Sequence, residues 1–338
     1  MVVKSRFTTG AIAAAALLAG LGAAGAQTVK LDMAETFPPN NIVAQASGDF
    51  ARLVKEKTGG KVEVTVHYSG SLGLGERDFL ATVEQGVVPI SSTIVDKILA
   101  TMPVASVQYM PFMIDGLKES RAMATTLRPH MEAQLAKQNQ IYLFESYGTP
   151  VGIWSKKPVQ DLATLKSLKV RSNNPNSTKT FQNAGASPTF MAWGDVAPAL
   201  STGVIDAVIT TCESGLSARF PEQLKHYTRL NLEIGTFLIH MNKDAFDKLP
   251  ANVKGPFLEA AKEAGARAFE RAQTRLEENA KAMQAGGVTI HETIPKEFRD
   301  HLVKSGGFLM DEWKRKVGAK TADEIMASYE QAKKQLTN

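Results

Sequence analysis

The 338-residue sequence contains a single cysteine, Cys212, and it lacks any cluster of cysteines or histidines at metal-binding spacing. One thiol cannot form a disulfide within the chain, so packing alone must hold the fold together. The six histidines are scattered, and no two of them share a helix at the spacing of a zinc site. The sequence therefore predicts no metal site and no cofactor.

The sequence also lacks a strong excess of charge of one sign. It has 39 basic and 34 acidic residues, which gives a formal net charge of +5. The basic residues are interspersed with acidic ones and are not clustered with aromatic residues, so the footprint of a nucleic-acid-binding surface is missing. We therefore expect no nucleic-acid partner, while a slightly positive surface favours anionic solutes.

Long hydrophobic runs are missing after the first residues of the chain. Lys4 and Arg6 precede an apolar run over residues 11–24, and small residues follow this run. This pattern predicts a signal peptide over residues 1–26, cleaved near Ala26/Gln27, and a periplasmic mature protein that does not span the membrane. A transmembrane anchor is the alternative, but the run is short, rich in Ala and Gly, and lacks a stop-transfer flank.

Alternating strand and helix patterns indicate an α/β fold. Residues 29–34 alternate between apolar and polar, as a half-buried strand does, and residues 42–57 carry apolar side chains at helical spacing. A second strand over residues 62–68 and a helix over residues 76–84 continue the alternation. The chain length suggests two domains.

The middle of the chain repeats this alternation after a break. An apolar run at residues 141–144 precedes Gly148-Thr149-Pro150, which we interpret as a strand breaker at the end of a first lobe. A strand at 169–171 follows, and Ser177 is predicted to cap a helix over residues 178–184. The longest periodic stretch, residues 252–285, predicts a helix about 50 Å long that spans both lobes.

The sequence contains no residue pattern that strongly indicates a catalytic site. The glycines of residues 70–75 do not match the common phosphate-binding fingerprints, so a turn at a cleft edge is favoured over a nucleotide site. Cys212 has no nearby histidine, which favours a packed or pocket-lining thiol over a nucleophile. We expect a protein that is not an enzyme, with a secreted hydrolase or transferase on a two-lobe scaffold as the alternative.

Three motifs carry a resemblance to a known family: Leu168-Lys169-Val170-Arg171, Ala192-Trp193-Gly194-Asp195-Val196 and Gly203-Val204-Ile205-Asp206. With the Gly70–Leu74 loop, they resemble the DctP-type substrate-binding proteins of tripartite ATP-independent periplasmic (TRAP) transporters. The resemblance implies an extracytoplasmic solute-binding subunit for uptake, with membrane permease subunits as partners. A sensor that binds the same solute for signalling is a further alternative.

The same resemblance implies a two-lobe clamshell of the periplasmic-binding-protein type, with mixed sheets and a long connecting helix. Lobe I is expected at residues 27–148, completed by about 236–270. Lobe II is expected at residues 149–235, completed by about 271–338.

In this family the arginine that ends the Leu-Lys-Val-Arg strand binds the carboxylate of the ligand, which implies this role for Arg171. A guanidinium group suits it, because its planar fork of donors matches a carboxylate and stays charged in a dry cleft. Trp193 stands where the family places an aromatic residue against the ligand. Thr210 and Thr211 replace the family's Asn-bearing segment, and the family's second arginine is missing after Gly148. A single carboxylate is therefore favoured.

The remaining candidate ligand residues are aromatic walls and hydroxyl groups: Phe37, Tyr147 and Phe237, and Ser92 and Thr93. Such a cleft predicts a small organic carboxylate, with a 2-hydroxy or 2-oxo monocarboxylate carrying an aliphatic or aromatic tail as the favoured ligand. Packing in the core is the alternative for each aromatic residue, and an internal salt bridge or an exposed charge is the alternative for Arg171.

Overall fold

The computed structural model describes residues 28–336, whose strands form a mixed sheet of ten strands. The predicted signal peptide and its cleavage site lie outside the described residues. The strands are β1 (Val29–Ala34), β2 (Val62–His67), β3 (Ile90–Ile94), β4 (Gln140–Ser155), β5 (Val170–Ser172), β6 (Thr189–Phe190), β7 (Ala207–Thr211), β8 (His226–Thr228), β9 (Ile234–Asn242) and β10 (Thr289–His291).

The helices alternate with these strands, as expected for an α/β protein. They are α1 (Ile42–Lys57), α2 (Phe79–Glu84), α3 (Gly116–Lys137), α4 (Leu162–Lys166), α5 (Pro175–Asn183), α6 (Val196–Ser201), α7 (Cys212–Ser217), α8 (Lys243–Asp247), α9 (Ala251–Ala285), α10 (Lys296–Gly306), α11 (Phe308–Val317) and α12 (Ala319–Leu336).

The sheet consists of two halves that strand β4 joins. In the first half-sheet the order is β2-β1-β3-β9-β4, with β1 parallel to both β2 and β3 and with β9 antiparallel to β3 and β4. In the second half-sheet β4 continues beside β7, which runs parallel to β5, while β6 lies at the edge. Strands β8 and β10 extend this half from the other side of β4. This arrangement is the two-lobed α/β architecture that the sequence predicts.

Strand β4 differs from the sequence prediction, because the expected breaker at Gly148-Thr149-Pro150 does not end it. The strand runs for 16 residues and continues to Ser155. Proline has no N–H for the ladder and is tolerated at irregular positions of a sheet. Here the register against β9 shifts between Tyr147 and Pro150. The strand can therefore pass from one half-sheet into the other with Pro150 inside it.

Helices α1 and α9 pack together on the first half-sheet. Helix α1 has the predicted bounds, and the side chain of Asn41 caps it by accepting a hydrogen bond from the backbone N–H of Val43. The ring of Phe50 in α1 packs edge to face on the ring of Phe257 in α9, with 5.4 Å between the two centroids. Burial of these two rings, both at 0% exposure, stabilises the packing by several kcal/mol on the usual scale of about 25 cal/mol per Å².

Helix α9 confirms the predicted long helix. Its 35 residues span about 50 Å at the usual rise per residue. It packs on α1 and β4 in the first half and on α7 and β10 in the second. The helix ends at Gly286, and Gly287 then adopts a positive φ of 72° that suits glycine.

The helix after Arg171 starts earlier than predicted. Helix α5 begins at Pro175, and its cap is Asn174, whose side chain accepts from the backbone N–H of Ser177. Ser177 is the reciprocal partner inside the helix and not the cap, because its hydroxyl accepts from the backbone of Asn174. Later in the chain, α10 packs on α5 and α12 packs on α3. The predicted lobe boundaries stay a prediction.

Candidate functional site

Arg171 lies in β5, between the parallel strand β7 and the edge strand β6, and only 2% of it is exposed. Nε and Nη2 donate to the carbonyl of Met191 at 3.1 and 2.8 Å, and Nη1 donates to the carbonyl of Ile209 at 3.2 Å. Among the described residues, three of the five N–H groups thus have an acceptor. The carboxyl ends of parallel strands are where α/β folds bind ligands.

The environment of Arg171 is dry and contains two carboxylates. Burial lowers the pKa of its guanidinium to about 10, against the opposing effect of Asp96 and Glu76. Since this pKa is still well above neutrality, Arg171 carries its charge at neutral pH. A buried cation with two carboxylates nearby, but with no direct ion pair among the described residues, is a costly arrangement, which an anionic ligand would stabilise.

A buried lysine connects these carboxylates to the second half-sheet. The Nζ atom of Lys97 lies 3.1 Å from Oδ1 of Asp96 and 3.9 Å from Oε1 of Glu76, and it donates to the carbonyl of Asn173 at 2.5 Å. Glu76 Oε1 also accepts from the backbone N–H of Trp193 at 3.3 Å. Polar groups from both half-sheets therefore meet beside Arg171.

A third buried carboxyl group, that of Glu233, lies on the other side of Asn173. Its Oε1 accepts from the side-chain amides of Asn173 and Asn174 at 2.7 and 2.6 Å. Its Oε2 is buried and has no hydrogen-bond partner among the described residues. Burial raises the pKa of Glu233 to about 8, with a further increase from Asp96, while the two amides lower it. The carboxyl group is therefore largely protonated at neutral pH.

Aromatic rings cover the other side of Arg171. Its Cζ lies 5.9 Å from the ring centroid of Trp193, a distance at the outer limit of a cation–π contact. The ring of Phe37 lies 5.6 Å from Trp193 and 5.7 Å from Phe237. The structure thus brings four of the residues singled out in the sequence, Arg171, Trp193, Phe37 and Phe237, into one connected cluster.

The hydroxyl residues on β3 point in opposite directions, because successive side chains of a strand alternate between the faces of a sheet. Thr93 Oγ1 hydrogen-bonds to Ser91 at 2.9 Å and to His240 Nε2 at 2.7 Å. Ser92 lies on the face of Glu35. Burial raises the pKa of Glu35 to about 7, while hydrogen bonds from the Ser47 hydroxyl and the backbone N–H of Phe37 lower it. Ser92 and Thr93 cannot both face one cleft, and their roles as ligand contacts stay predictions.

The threonines of β7 also differ from each other. Thr211 caps α7, because its Oγ1 accepts from the backbone N–H of Ser214 at 2.9 Å and donates to the Ser214 hydroxyl at 3.0 Å. Thr210 is 7% exposed and directly follows Ile209, whose carbonyl holds Arg171. Within residues 28–336 the Thr210 hydroxyl has no hydrogen-bond partner. Thr210 is therefore the member of this pair whose hydroxyl is free for a ligand.

Tyr147 shares a hydrophobic core with Phe37 and Phe237, but among the described residues its ring makes no aromatic contact with the cluster around Arg171. Its ring packs edge to face on Phe269 of α9, with centroids 5.5 Å apart. It lines a different cavity of about 500 Å³, together with Glu145. Its role as a ligand contact at Arg171 stays a prediction.

Sequence reasoning missed the polar neighbours of Arg171, namely Glu76, Asp96, Lys97, Asn173 and Glu233. One signal pointed to part of this set: Asn173 and Asn174 come directly after the strand that carries Arg171, where α/β proteins place ligand-binding groups. Glu76 directly follows the glycine-rich loop over residues 70–75, and this loop comes after strand β2.

The two half-sheets are also joined by a contact between α1 and α7. Glu213 Oε1 accepts from the backbone N–H of Ile42 at 2.9 Å, in the first turn of α1. Nearby, Asn41 Nδ2 donates to the Ser217 hydroxyl at 3.2 Å. A hinge motion that opened the lobes would have to break these hydrogen bonds.

In residues 28–336 no three His, Cys, Asp or Glu side chains are grouped so that they could hold a metal ion. No helix in this part of the chain has both the length and the apolar character needed to cross a membrane.

A comparison with protein families identifies this architecture. Residues 33–305 match the family model DctP, described as bacterial extracellular solute-binding protein, family 7. The chain belongs to this family. As the sequence motifs implied, it is a solute-binding protein of the TRAP type.

Individual solute-binding proteins resemble the chain over most of its length. A solute-binding protein of Sulfitobacter sp. (strain NAS-14.1) is 28% identical over 93% of this chain and 95% of its own. The 2,3-diketo-L-gulonate-binding periplasmic protein YiaO of Escherichia coli K12 is 26% identical over 65% of this chain and 68% of its own. The crystal structure of DctP7, a Bordetella pertussis extracytoplasmic solute receptor that binds pyroglutamic acid, superposes with a TM-score of 0.85. It is 28% identical and covers 90% of this chain and 100% of its own.

Proposed function

We propose that this DctP-family protein is a periplasmic, non-enzymatic receptor that binds a small organic monocarboxylate at Arg171 and passes it to membrane permease subunits. This proposal is based on three properties of Arg171: its burial, its charge and its N–H groups without an acceptor. It is a buried, charged guanidinium group, and two of its N–H groups have no acceptor among the described residues. Two such donors match the two oxygens of one carboxylate.

The surroundings favour one carboxylate over two. Lys97 is the other buried cation near Arg171, and Asp96, Glu76 and the carbonyl of Asn173 already engage it. A second carboxylate on the ligand would face Asp96 and Glu76 without a free cation, which is unfavourable in a dry site. We therefore infer a monocarboxylate.

We further propose that the ligand carries a hydroxyl or oxo group on the carbon next to its carboxylate. The free hydroxyl of Thr210, next to the carbonyl that holds Arg171, is suited to such a group. The ligands named for two relatives, pyroglutamic acid and 2,3-diketo-L-gulonate, both carry a nitrogen or an oxygen at this carbon. The rings of Phe37 and Trp193 would cover the remainder of the ligand.

The test is a binding screen with the mature chain, residues 27–338. We expect 2-hydroxy acids, 2-oxo acids or pyroglutamate to raise the melting temperature, because a ligand that binds only the folded state stabilises it. Succinate, neutral sugars and amines should have little effect. Stabilisation by sugars or amines alone would mean that Arg171 does not anchor the ligand.

Arg171→Ala provides the residue-level test. A charge-assisted hydrogen bond to a carboxylate contributes about 1.5 to 3 kcal/mol, so the affinity for the best acid should fall at least about tenfold. Arg52→Ala is the matched control, because Arg52 is an exposed arginine that pairs with Asp49 and Glu56 on the surface of α1. Unchanged affinity in folded Arg171→Ala protein, measured by calorimetry, would contradict the proposed site.

A further inference from the structure

A cavity of about 500 Å³ lies away from Arg171, between helices α3 and α9 and over strand β4. Its floor includes Glu145 and Tyr147 of β4, and its far wall includes Phe269 and Gly265 of α9. Its size is within the range of small-molecule sites. The solute-binding function proposed above makes no use of this cavity.

The floor of the cavity carries an unsatisfied carboxyl group. Glu145 is 5% exposed, and neither of its carboxylate oxygens has a partner with hydrogen-bond geometry among the described residues. Burial raises its pKa to about 7, although Tyr142 and Arg128 favour the charged form. A buried carboxyl group with a phenol and a guanidinium nearby, neither of them in hydrogen-bond geometry, is costly, so its position requires an explanation.

The rim of the cavity carries three cations from two helices. Arg121 stacks on the ring of Phe269 with 4.5 Å between its Cζ and the centroid, and Arg128 stacks on Tyr142 at 4.6 Å. Arg128 is also held by Glu132, with 2.7 Å between Nε and Oε1. Lys262 lines the cavity from α9. The two guanidinium groups are thus fixed at the rim by contacts with their neighbours.

We propose that this cavity is a second ligand site, which takes a small zwitterion with its ammonium group on Glu145 and its carboxylate among Arg121, Arg128 and Lys262. Charge complementarity carries the assignment. A pure anion would place its charge near the Glu145 carboxylate, and a pure cation would face three like charges at the rim. A zwitterion satisfies both groups, and the rings of Tyr142 and Tyr147 suit an ammonium group.

The experiment compares whole zwitterions with their halves. The probes are the unbranched ω-amino acids from glycine to 6-aminohexanoate, with butylamine and butanoate as the separate charged halves of 4-aminobutanoate. Binding is followed by two-dimensional NMR of the mature chain. The backbone amide of Gly265 reports on this cavity, and that of Gly194, next to Trp193, reports on the site at Arg171.

We expect at least one ω-amino acid to shift the Gly265 amide and neither butylamine nor butanoate to do so at the same concentration. Glu145→Gln keeps the shape of the side chain, and it should weaken this binding about tenfold or more because a charge-assisted contact is lost. Arg171→Ala should leave it unchanged. Conversely, Glu145→Gln should leave the binding of acids at Arg171 unchanged. The two variants therefore test the two proposed sites independently.

Four results would overturn the proposal. Butanoate that shifts Gly265 as strongly as the zwitterion would make the cavity an anion site, and butylamine with this effect would make it a cation site. Loss of zwitterion binding in Arg171→Ala but not in Glu145→Gln would assign the binding to the other site. No shift of Gly265 with any probe, up to its solubility limit, would leave the cavity without a ligand of this class.

Discussion

Replacement of Glu233 by glutamine should change how the stability of the protein depends on pH. Glu233 is 1% exposed, and burial raises its pKa from 4.5 to about 8. Between these two values the folded protein holds a proton that the unfolded chain releases. The stability that Glu233 contributes is therefore complete below its unfolded pKa and is lost as the pH rises through its folded pKa.

The size of the effect follows from this pKa difference. At about 1.4 kcal/mol for each pH unit, the free energy of unfolding should fall by roughly 3 kcal/mol between about pH 5 and pH 8 through this one group. Glu233→Gln retains an acceptor for Asn173 and Asn174 but cannot ionise. The variant should be close to the wild type in stability at pH 5 and more stable than the wild type at pH 8.

Urea unfolding at both pH values, followed by circular dichroism, measures the difference. Glu35 and Glu145 also have pKa values raised to about 7 by burial, so the wild type has several contributions to its pH dependence. The relevant quantity is therefore the difference between variant and wild type. Glu270→Gln, at an exposed position of α9, is the control. The same pH dependence in wild type and Glu233→Gln would refute the reasoning.

Two other substitutions test different properties: Trp193→Ala tests ligand binding, and Gly215→Ala tests packing in the core. Trp193→Ala should weaken binding most for acids with branched or aromatic tails, because its ring would cover the tail; calorimetry that gave an equal loss for acids of every size would count against this role. Gly215→Ala places a Cβ 2.3 Å from the ring of Trp154 and should cost about 1 to 3 kcal/mol of stability. Its control is Gly255→Ala in α9, where a Cβ meets nothing within 4 Å and helix propensity predicts a gain of up to about 1 kcal/mol. Thermal unfolding that failed to separate the two glycine variants would contradict the packing argument.

The elements that could be predicted from the sequence are those with long, regular patterns. Helix α1 has the predicted bounds, and α9 begins one residue before the predicted start and ends where its glycines predict. The continuous strand β4 could not be predicted, because Gly148 and Pro150 are strong local signals for a break. Pro150 stays inside the strand because it pairs with Ile234 of β9, 84 positions later in the chain, and because β4 then pairs with β7 and β8.

The candidate site shows the same division between local and distant information. Arg171 and Trp193 belong to local motifs, so the family resemblance could single them out. Glu233 could not be found in this way, because it lies 60 residues from Asn173 and no short pattern links the two. The sequence did contain the information that Ser92 and Thr93 point to opposite faces, since two successive residues of a strand cannot share one face.

Each half of the protein is completed by an element from the C-terminal part of the chain: β10 in the second half and α12 in the first. Strand β10 pairs with β8, and α12 covers α3, where the Tyr329 hydroxyl donates to Glu119 across 210 positions of sequence. A chain is synthesised from its N-terminus, so the second half cannot complete its sheet before β10 has emerged, and the first half cannot close its core before α12 has emerged. A chain that stopped before Ala319 would leave exposed the apolar surface of α3 that α12 buries through Ile325 and Tyr329. An incomplete copy would therefore be recognisable to chaperones and proteases by that surface.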